Sequence, residues 1–223
     1  MTELTHSYTS IKMFKNCPKR YYHQRIAKVV REVPGEATVW GERAHKSLED
    51  YLVSEGDTPL IEGVDHLQGM LDAIRADSSK VLHAELEMTL NKQLEPTGWW
   101  DADAWLRSKL DVFIEGKRSA ITLDYKTGKR RPDFDQLEMF ALQVFAHYAQ
   151  IERVTSSFVW VRDKTLDTRV YTREDAPVLW AKLLGDIRRI EKAAEADNWP
   201  ARPSGLCGWC PCKDFCEYAA VRR

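Results

Sequence analysis

The chain has 223 residues, of which 43% are hydrophobic and 30% charged, and its formal net charge is −1. These values predict a globular protein with one sizeable core, and no apolar run reaches the length of a membrane span. The small net charge argues against a histone-like polyelectrolyte but leaves room for a local basic groove. The N-terminus lacks a basic segment followed by an apolar one, so we expect no signal peptide and a cytoplasmic location.

The first third of the chain has helical periodicity. Residues 7–24 predict a pair of helices, and residues 38–53 predict a longer helix. On that helix, apolar residues at helical spacing place His45 on the side that faces the protein body. An amphipathic helix is predicted over residues 59–76.

The period then changes from helical to alternating, which predicts strands followed by mixed elements. Three strands come first, at residues 82–90, 105–114 and 120–126. A helix (133–148), two strands (154–162 and 169–172) and a last helix (175–196) follow. This order predicts an α/β fold with a mixed central sheet, and the proline- and glycine-rich stretch after residue 198 predicts a tail built of loops.

The third predicted strand ends in the sequence Asp124-x-Lys126. Side chains alternate between the faces of a strand, so these two point to the same side, about 7 Å apart. The five-residue connection 115–119 contains a glycine, which is typical of a β-hairpin. Such a hairpin brings Asp111, on the preceding strand, close to Asp124.

Two carboxylates and a lysine at one sheet edge are the groups that phosphodiester hydrolysis needs. The carboxylates hold Mg²⁺ or Mn²⁺, which generates hydroxide and neutralises developing charge, while the lysine orients the attacking water. A solvated ion pair without a catalytic role is the alternative explanation of the same pattern.

Other charged residues also have two interpretations. Glu85 and Glu87 share the polar face of the first strand. Either could be an additional metal ligand, but a solvated strand face is the simpler explanation of both. Two basic clusters are each explained by a solvated face or by a nucleic-acid contact. These clusters are Lys126, Lys129, Arg130 and Arg131, and Lys19, Arg20, His23 and Arg25.

Four of the five cysteines lie close together near the C-terminus. In a chain without a secretion signal they predict metal binding rather than disulfides. The spacing Cys207-x2-Cys210 lets two thiolates converge on one metal. Either the tail supplies all four ligands as a zinc knuckle, or it supplies three and recruits Cys17, which joins both ends of the chain. As a free thiol, Cys17 is instead a small buried hydrophobe.

Several segments together carry a family resemblance. They are Cys17-Pro18-Lys19-Arg20-Tyr21-Tyr22, Gly41-x3-His45, Leu110-Asp111-Val112, Leu123-Asp124-Tyr125-Lys126-Thr127-Gly128, Gln136-x3-Phe140 and Cys207-x2-Cys210-x5-Cys216. In this order they resemble the RecB-like branch of the PD-(D/E)XK nuclease superfamily. Within that branch they are most similar to the iron–sulfur exonucleases of CRISPR adaptation and to their phage and AddB-type relatives. Two residues depart from the pattern: Phe140 replaces a tyrosine, and Cys212 is additional.

The resemblance implies a restriction-endonuclease-like core with N-terminal helices and a C-terminal cysteine-rich cap that binds a metal cluster. We expect an N-terminal helical segment at 1–36, the nuclease core at 37–197 and the cap at 198–223, within one structural domain.

The resemblance also implies site residues. Lys126, Asp111, Asp124 and Gln136 are expected to be catalytic, with Lys126 orienting water and Gln136 fixing Lys126 or a substrate phosphate. Mg²⁺ or Mn²⁺ is expected on His45, Asp111, Asp124 and the Tyr125 carbonyl, and the histidine favours Mn²⁺. A structural [4Fe–4S] cluster, or Zn²⁺ as the alternative, is expected on Cys17, Cys207, Cys210 and Cys216, with Cys212 as a substitute for one of them.

Together these features predict a metal-dependent DNA exonuclease that acts on single-stranded ends. DNA contacts are expected from the cations and rings of Lys19, Arg20, Tyr21, Tyr22 and Phe140. The expected setting is the cytoplasm of a bacterium or of a phage host, with CRISPR, recombination or phage replication partners. The alternatives are a DNA-end binding protein that does not cut and a zinc-stabilised interaction module on a nuclease-like fold.

Overall fold

The computed structural model describes residues 4–219. The chain forms two compact units: the stretch up to Val33 together with the stretch from Ala181 onward, and a second unit made of Pro34–Trp180. The outer ends of the predicted segments 1–36 and 198–223 lie outside the described residues. Within the described part of the chain, no helix is long and apolar enough to cross a bilayer.

The first unit begins with two short helices, α1 (Tyr8–Asn16) and α2 (Pro18–Tyr21), followed by a π-helical turn. Ser7 caps α1 reciprocally with Ser10, because each side chain bonds the other residue's backbone N–H. The first position of α2 tolerates proline, because an N–H at that position would have no partner within the helix. The pair of helices predicted over residues 7–24 is therefore confirmed, and the two helices meet at Cys17 and Pro18.

The second unit contains a five-stranded sheet with helices on both faces. The strands follow the order β1-β2-β3-β4-β5, with β3 and β4 parallel and the other neighbours antiparallel. The helices are α3 (Glu36–Val53), α4 (Gln68–Ala76), α5 (Asp135–His147) and the start of α6 (Ala176–Glu195). The strands are β1 (Val81–Leu90), β2 (Leu106–Glu115), β3 (Ser119–Lys126), β4 (Arg153–Trp160) and β5 (Thr165–Thr172). The predicted α/β fold with a mixed central sheet is confirmed.

Each face of the sheet has its own core. The α5-side core includes Leu137, Phe140 and Val144 of α5 packed on Leu110 and Phe158 of the sheet. The α3-side core includes Ala44, Leu48, Leu52, Leu71, Val112, Leu123, Tyr125 and Val159. Burial of both faces explains why β3 and β4, next to each other in the middle of the sheet, are rich in apolar residues.

The helix predicted over 59–76 is wrong in its first half. Helix α4 begins only at Gln68, after turns and a short 3₁₀ segment at Asp65–Leu67. Gly63 has φ +93°, a left-handed conformation that ends helical progression. The segment still buries apolar residues, since Val64 and Leu71 are both fully buried in the α3-side core.

Two strand predictions need adjustment. The connection between β2 and β3 has three residues rather than five, because Glu115 and Ser119 belong to the strands. Gly116 is required in it, since a Cβ there would lie 2.7 Å from the Ser119 carbonyl oxygen. Strand β5 begins at Thr165, four residues before its predicted start. The prediction missed these residues because β5 is an edge strand, exposed over most of its length, and shows no clear alternation.

Candidate active site

The candidate site lies where β2 and β3 separate. Residues 112–115 of β2 pair with 120–123 of β3. Beyond this ladder, the backbone N–H of Tyr125 donates a 2.7 Å hydrogen bond to Oδ2 of Asp111. A carboxylate thus takes the place of a strand partner and is held at the opening between the strands.

Three side chains meet at this opening with the donor atoms of a metal site. One ligand atom from each of His45, Glu85 and Asp111 lies within 4.8 Å of the others. His45 Nδ1 is 3.3 Å from Asp111 Oδ1. Carboxylate oxygens suit hard divalent ions, and an imidazole nitrogen suits Mn²⁺ and later metals, so this donor set fits the metal that the sequence predicts.

His45 reaches the site because α3 approaches the end of β3 closely. A Cβ at Gly41, one helical turn before His45, would lie 2.9 Å from Thr127 Oγ1. Any larger residue at position 41 would push the helix or the threonine away. The Gly-x3-His spacing therefore has a local physical reason: the glycine brings the helix in, and the histidine one turn later points at the strands.

The sequence left Glu85 either as an extra metal ligand or as part of a solvated face, and the expected ligand set does not include it. Its backbone has φ +51°, which is uncommon for a residue with a side chain. The strand changes face at this point: Ala84 packs in the α3-side core and Leu86 in the α5-side core. The kink turns the Glu85 carboxylate toward Asp111, and simple alternation could not have signalled it.

Asp124, Lys126 and Gln136 form a closed set of polar contacts. Gln136 Nε2 donates to Asp124 Oδ1 at 2.7 Å, and Lys126 Nζ donates to Gln136 Oε1 at 2.8 Å. The third side is an ion pair, with Lys126 Nζ 2.5 Å from Asp124 Oδ2. Gln136, the second residue of α5, thereby fixes the acid and the cation together.

Burial makes the charge of this site costly. It raises the pKa of Asp124 to about 6, with Lys126 acting to lower it and Asp111 to raise it. For His45, burial lowers the pKa, but the hydrogen bond and charge of Asp111, together with the charges of Asp124 and Glu85, leave the net pKa raised. The shift of Asp124 comes mainly from burial and that of His45 from neighbouring carboxylates, and a bound cation would favour the charged form of these carboxylates.

The side chain of Tyr125 is not available for metal binding. It is buried in the α3-side core, with its ring centroid 5.9 Å from that of His45 in an edge-on arrangement. Burial and the charge of Asp111 raise its pKa. Only its carbonyl remains a candidate donor.

Several of the predicted DNA contacts have partners within the chain. In the first unit, Lys19 pairs with Glu217, and Arg20 pairs with Glu32. Tyr21 is 1% exposed and stacks on Trp199, so its ring is not accessible to a base. Tyr22 is partly exposed.

Phe140 in the second unit lies in the α5-side core, where it is 2% exposed. It follows Gln136 by one helical turn, but Gln136 reaches the polar site while Phe140 packs inward. A ring buried in this way has no face free for a base.

The five thiols all lie in the first unit. Backbone N–H groups face two of them: Arg202 N is 3.5 Å from Cys17 Sγ, and Ser204 N is 3.2 Å from Cys207 Sγ. Burial, followed by the charge and hydrogen bond of Cys210, raises the pKa of Cys212 to about 12, with a smaller contribution from Cys17. Thiols that face N–H donors have the donor chemistry of an iron–sulfur or zinc–thiolate site. Among residues 4–219, however, no three thiols have their sulfur atoms within 4.8 Å of one another.

The family comparison covers nearly the whole chain. The model of the PD-(D/E)XK nuclease superfamily matches residues 5–217. None of the curated proteins compared with this chain matches it.

Two solved structures resemble the fold. The crystal structure of a protein from Eubacterium rectale named "Putative exonuclease" has a TM-score of 0.51 and 12% identity, covering 98% of this chain and 88% of that one. The crystal structure of SSO0001 has a TM-score of 0.45 and 14% identity, with the same coverage of 98% and 88%. At such identity the first likeness concerns the fold alone.

Proposed function

Because the chain belongs to the PD-(D/E)XK nuclease superfamily, we propose that it is a metal-dependent deoxyribonuclease that hydrolyses phosphodiester bonds. The observation that carries this proposal is the meeting of two sets of side chains at one opening of the sheet. One set, His45, Glu85 and Asp111, suits a divalent cation, and the other, Asp124, Lys126 and Gln136, suits activation of water. A solvated ion pair would not bury Asp124 or engage Gln136.

The metal is proposed to be Mg²⁺ or Mn²⁺, held by His45, Glu85 and Asp111, with Asp124 and the Tyr125 carbonyl as further donors. When bound, it supplies Lewis-acid stabilisation of the phosphate oxygens and lowers the pKa of water. The kinked backbone at Glu85 supports its assignment, since strain of this kind persists where the surrounding structure imposes it and often accompanies a functional site.

The side chains themselves orient the reactants. Lys126 carries a fixed positive charge beside the opening, where it holds an attacking water and stabilises charge on the phosphate oxygens. Gln136 keeps the ammonium in place by accepting its hydrogen bond. In the reaction, the water oxygen bonds to phosphorus, one ester P–O bond breaks, and the leaving oxygen gains a proton.

Exonuclease action on single-stranded ends is the finer proposal. The resemblance to the RecB-like iron–sulfur exonucleases favours it, and so does the name of the relative from Eubacterium rectale. The same resemblance favours a role with CRISPR, recombination or phage replication partners. Lys19, Arg20 and Tyr22 remain proposed DNA contacts, since part of each side chain is exposed.

A structural [4Fe–4S] cluster is proposed on Cys17, Cys207, Cys210 and Cys216, with Zn²⁺ as the alternative and Cys212 as a substitute ligand. The N–H groups that face Cys17 and Cys207 support thiolate character at both. In the proposed division, segment 37–197 cuts, while segments 1–36 and 198–223 hold the cluster.

The decisive experiment is digestion of DNA labelled at either end, with Mn²⁺, Mg²⁺ or no divalent ion. Single-stranded DNA is expected to be shortened from an end only when the metal is present. Asp124→Ala should abolish cutting, while Asp57→Ala, which removes an exposed carboxylate of the same unit, should not. Equal cutting by the Asp124 variant would reject the site, and binding of ends without cutting by wild type would reject the enzyme.

A further inference from the structure

An exposed aromatic stack lies at the tip of the β1–β2 hairpin. The guanidinium carbon of Arg107 lies 5.3 Å from the ring centroid of Trp99 and 5.5 Å from that of Trp100. Trp100 is 85% exposed, so its indole presents a flat apolar face to solvent. Within residues 4–219, the Nε of Arg107 is buried and has no hydrogen-bond partner.

Side-chain hydrogen bonds hold the turn at the tip of the hairpin. Gly98 N–H donates a 2.7 Å hydrogen bond to Asp101 Oδ2. Thr97 Oγ1 lies 3.0 Å from Asp101 Oδ2 and 2.8 Å from Asp103 Oδ1. These acids therefore shape the turn that presents Trp100. Their negative charge also makes the tip a poor place for phosphates, while the flat face of an indole remains open to uncharged rings.

A continuous row of side chains joins this stack to the metal-binding group. Arg107 and Lys109 are two residues apart on β2 and so share one face. Lys109 Nζ is 2.6 Å from Glu85 Oε2, and Glu85 lies with Asp111 and His45 in the metal-binding group. Arg107 precedes Asp111 by four residues, about 13 Å along the strand. The order along the face is therefore indole, cation, cation, metal donors.

We propose that this row is the track of an unpaired nucleic-acid strand, with a base stacked on Trp100, phosphates beside Arg107 and Lys109, and the scissile phosphate at the metal donors. The inference rests on the proposed nuclease function and adds the path that a single strand takes across the sheet to the metal donors. An unpaired strand offers both a free base face and flexible phosphates, whereas the bases of a duplex are already stacked on one another. A peptide partner would give no reason for two cations that lead to a metal site.

The test measures binding, so that it does not depend on cutting. Anisotropy of a labelled thymidine oligonucleotide is followed in buffer without added divalent ions, for wild type, Trp100→Ala and Trp100→Phe. Loss of the ring should weaken single-strand binding about 5- to 50-fold, as for other base–aromatic stacks. Phenylalanine should restore most of the affinity while removing the quenching of tryptophan emission by the bases.

Two controls separate this track from general effects. A blunt duplex of the same length should bind Trp100→Ala within twofold of wild type. Trp209→Ala removes an indole that is 87% exposed in the first unit and should leave single-strand affinity unchanged. An equal loss on duplex, an equal loss with Trp209→Ala, or no loss with Trp100→Ala would overturn the proposal. If wild type cuts with metal while Trp100→Ala binds normally, the track alone fails; if wild type neither binds nor cuts, the nuclease function fails as well.

Discussion

The carboxylate of Asp111 accepts the backbone N–H of Tyr125 at 2.7 Å, just beyond the last paired residues of β2 and β3. One oxygen of the carboxylate thus replaces a sheet hydrogen bond, while the other faces His45 at 3.3 Å. The same residue holds the opening between the strands and contributes to the metal-binding group. Its two roles are separable by substitution.

Asp111→Asn keeps an oxygen acceptor for the Tyr125 N–H but loses the charge, whereas Asp111→Ala loses both. We expect urea unfolding without metal to show Asp111→Ala less stable by about 1 kcal/mol than Asp111→Asn. Both variants should bind Mn²⁺ much more weakly than wild type in calorimetric titration. Equal stability of the two variants would contradict the structural role of the hydrogen bond.

Gln136 is expected to act as a positioning residue for Lys126. Gln136→Ala removes the hydrogen bond that Gln136 accepts from Lys126 and the one that it donates to Asp124. Lys126 is then less well positioned, so kcat should fall by about 10- to 100-fold. KM should change little, because the side chain does not carry the substrate charge. Gln150→Ala, which removes only an exposed contact to Glu115, serves as the control and should retain full activity.

Asp124 should make stability depend on pH in the metal-free protein. Its pKa rises from the ordinary 3.8 to about 6 on folding. Between these values the folded state keeps a proton that the unfolded state has released, so the free energy of unfolding falls as pH rises from about 4 to 6. Asp124→Asn does not lose stability in this way and should be more stable than wild type by about 3 kcal/mol at pH 7.

The comparison at low pH is the check on this prediction. Below about pH 3 the carboxyl is protonated in both states, so the advantage of Asp124→Asn should disappear there. Saturating Mn²⁺ should also remove the advantage at pH 7, since the ion binds the folded wild type. An advantage that is the same at pH 4 and pH 7 would point to packing rather than charge.

Two neighbouring arginines after β3 should differ in their effect on DNA binding. Arg130 pairs with Asp167 through two nitrogens, whereas Arg131 is exposed and has no partner among residues 4–219. Arg131→Gln should reduce the slope of log affinity against log salt by about 1 if it contacts a phosphate. Arg130→Gln should change this slope less, because its charge is already neutralised.

The proposed cluster is tested by metal content and colour. The purified protein should be brown and contain iron and sulfide, and Cys17→Ser should lose much of the iron. Cys212→Ser should retain the iron if Cys212 is the spare thiol. A colourless protein with one equivalent of zinc would reject the iron–sulfur assignment and leave the nuclease proposal intact.

Much of the fold was accessible from local patterns. The three meandering strands, α3 and α5 were predicted within two residues at most ends, since each has a clear period and buries a defined side. The first half of the helix predicted before β1 failed because apolar residues at helical spacing also pack well from turns. Strand β5 was predicted short because an exposed edge strand needs no alternation.

For the site, the sequence by itself determined that Asp124 and Lys126 lie on the same face of their strand, because the two-residue period of a strand is a local property. It also set His45 one turn from a glycine that allows close approach. Only the tertiary structure decided that Glu85 joins His45 and Asp111, that Gln136 bridges Asp124 and Lys126, and that Tyr21 and Phe140 are buried. These facts depend on a backbone kink and on contacts between residues far apart in the chain, and the free energy of such contacts comes from the packing of the whole unit rather than from any short segment.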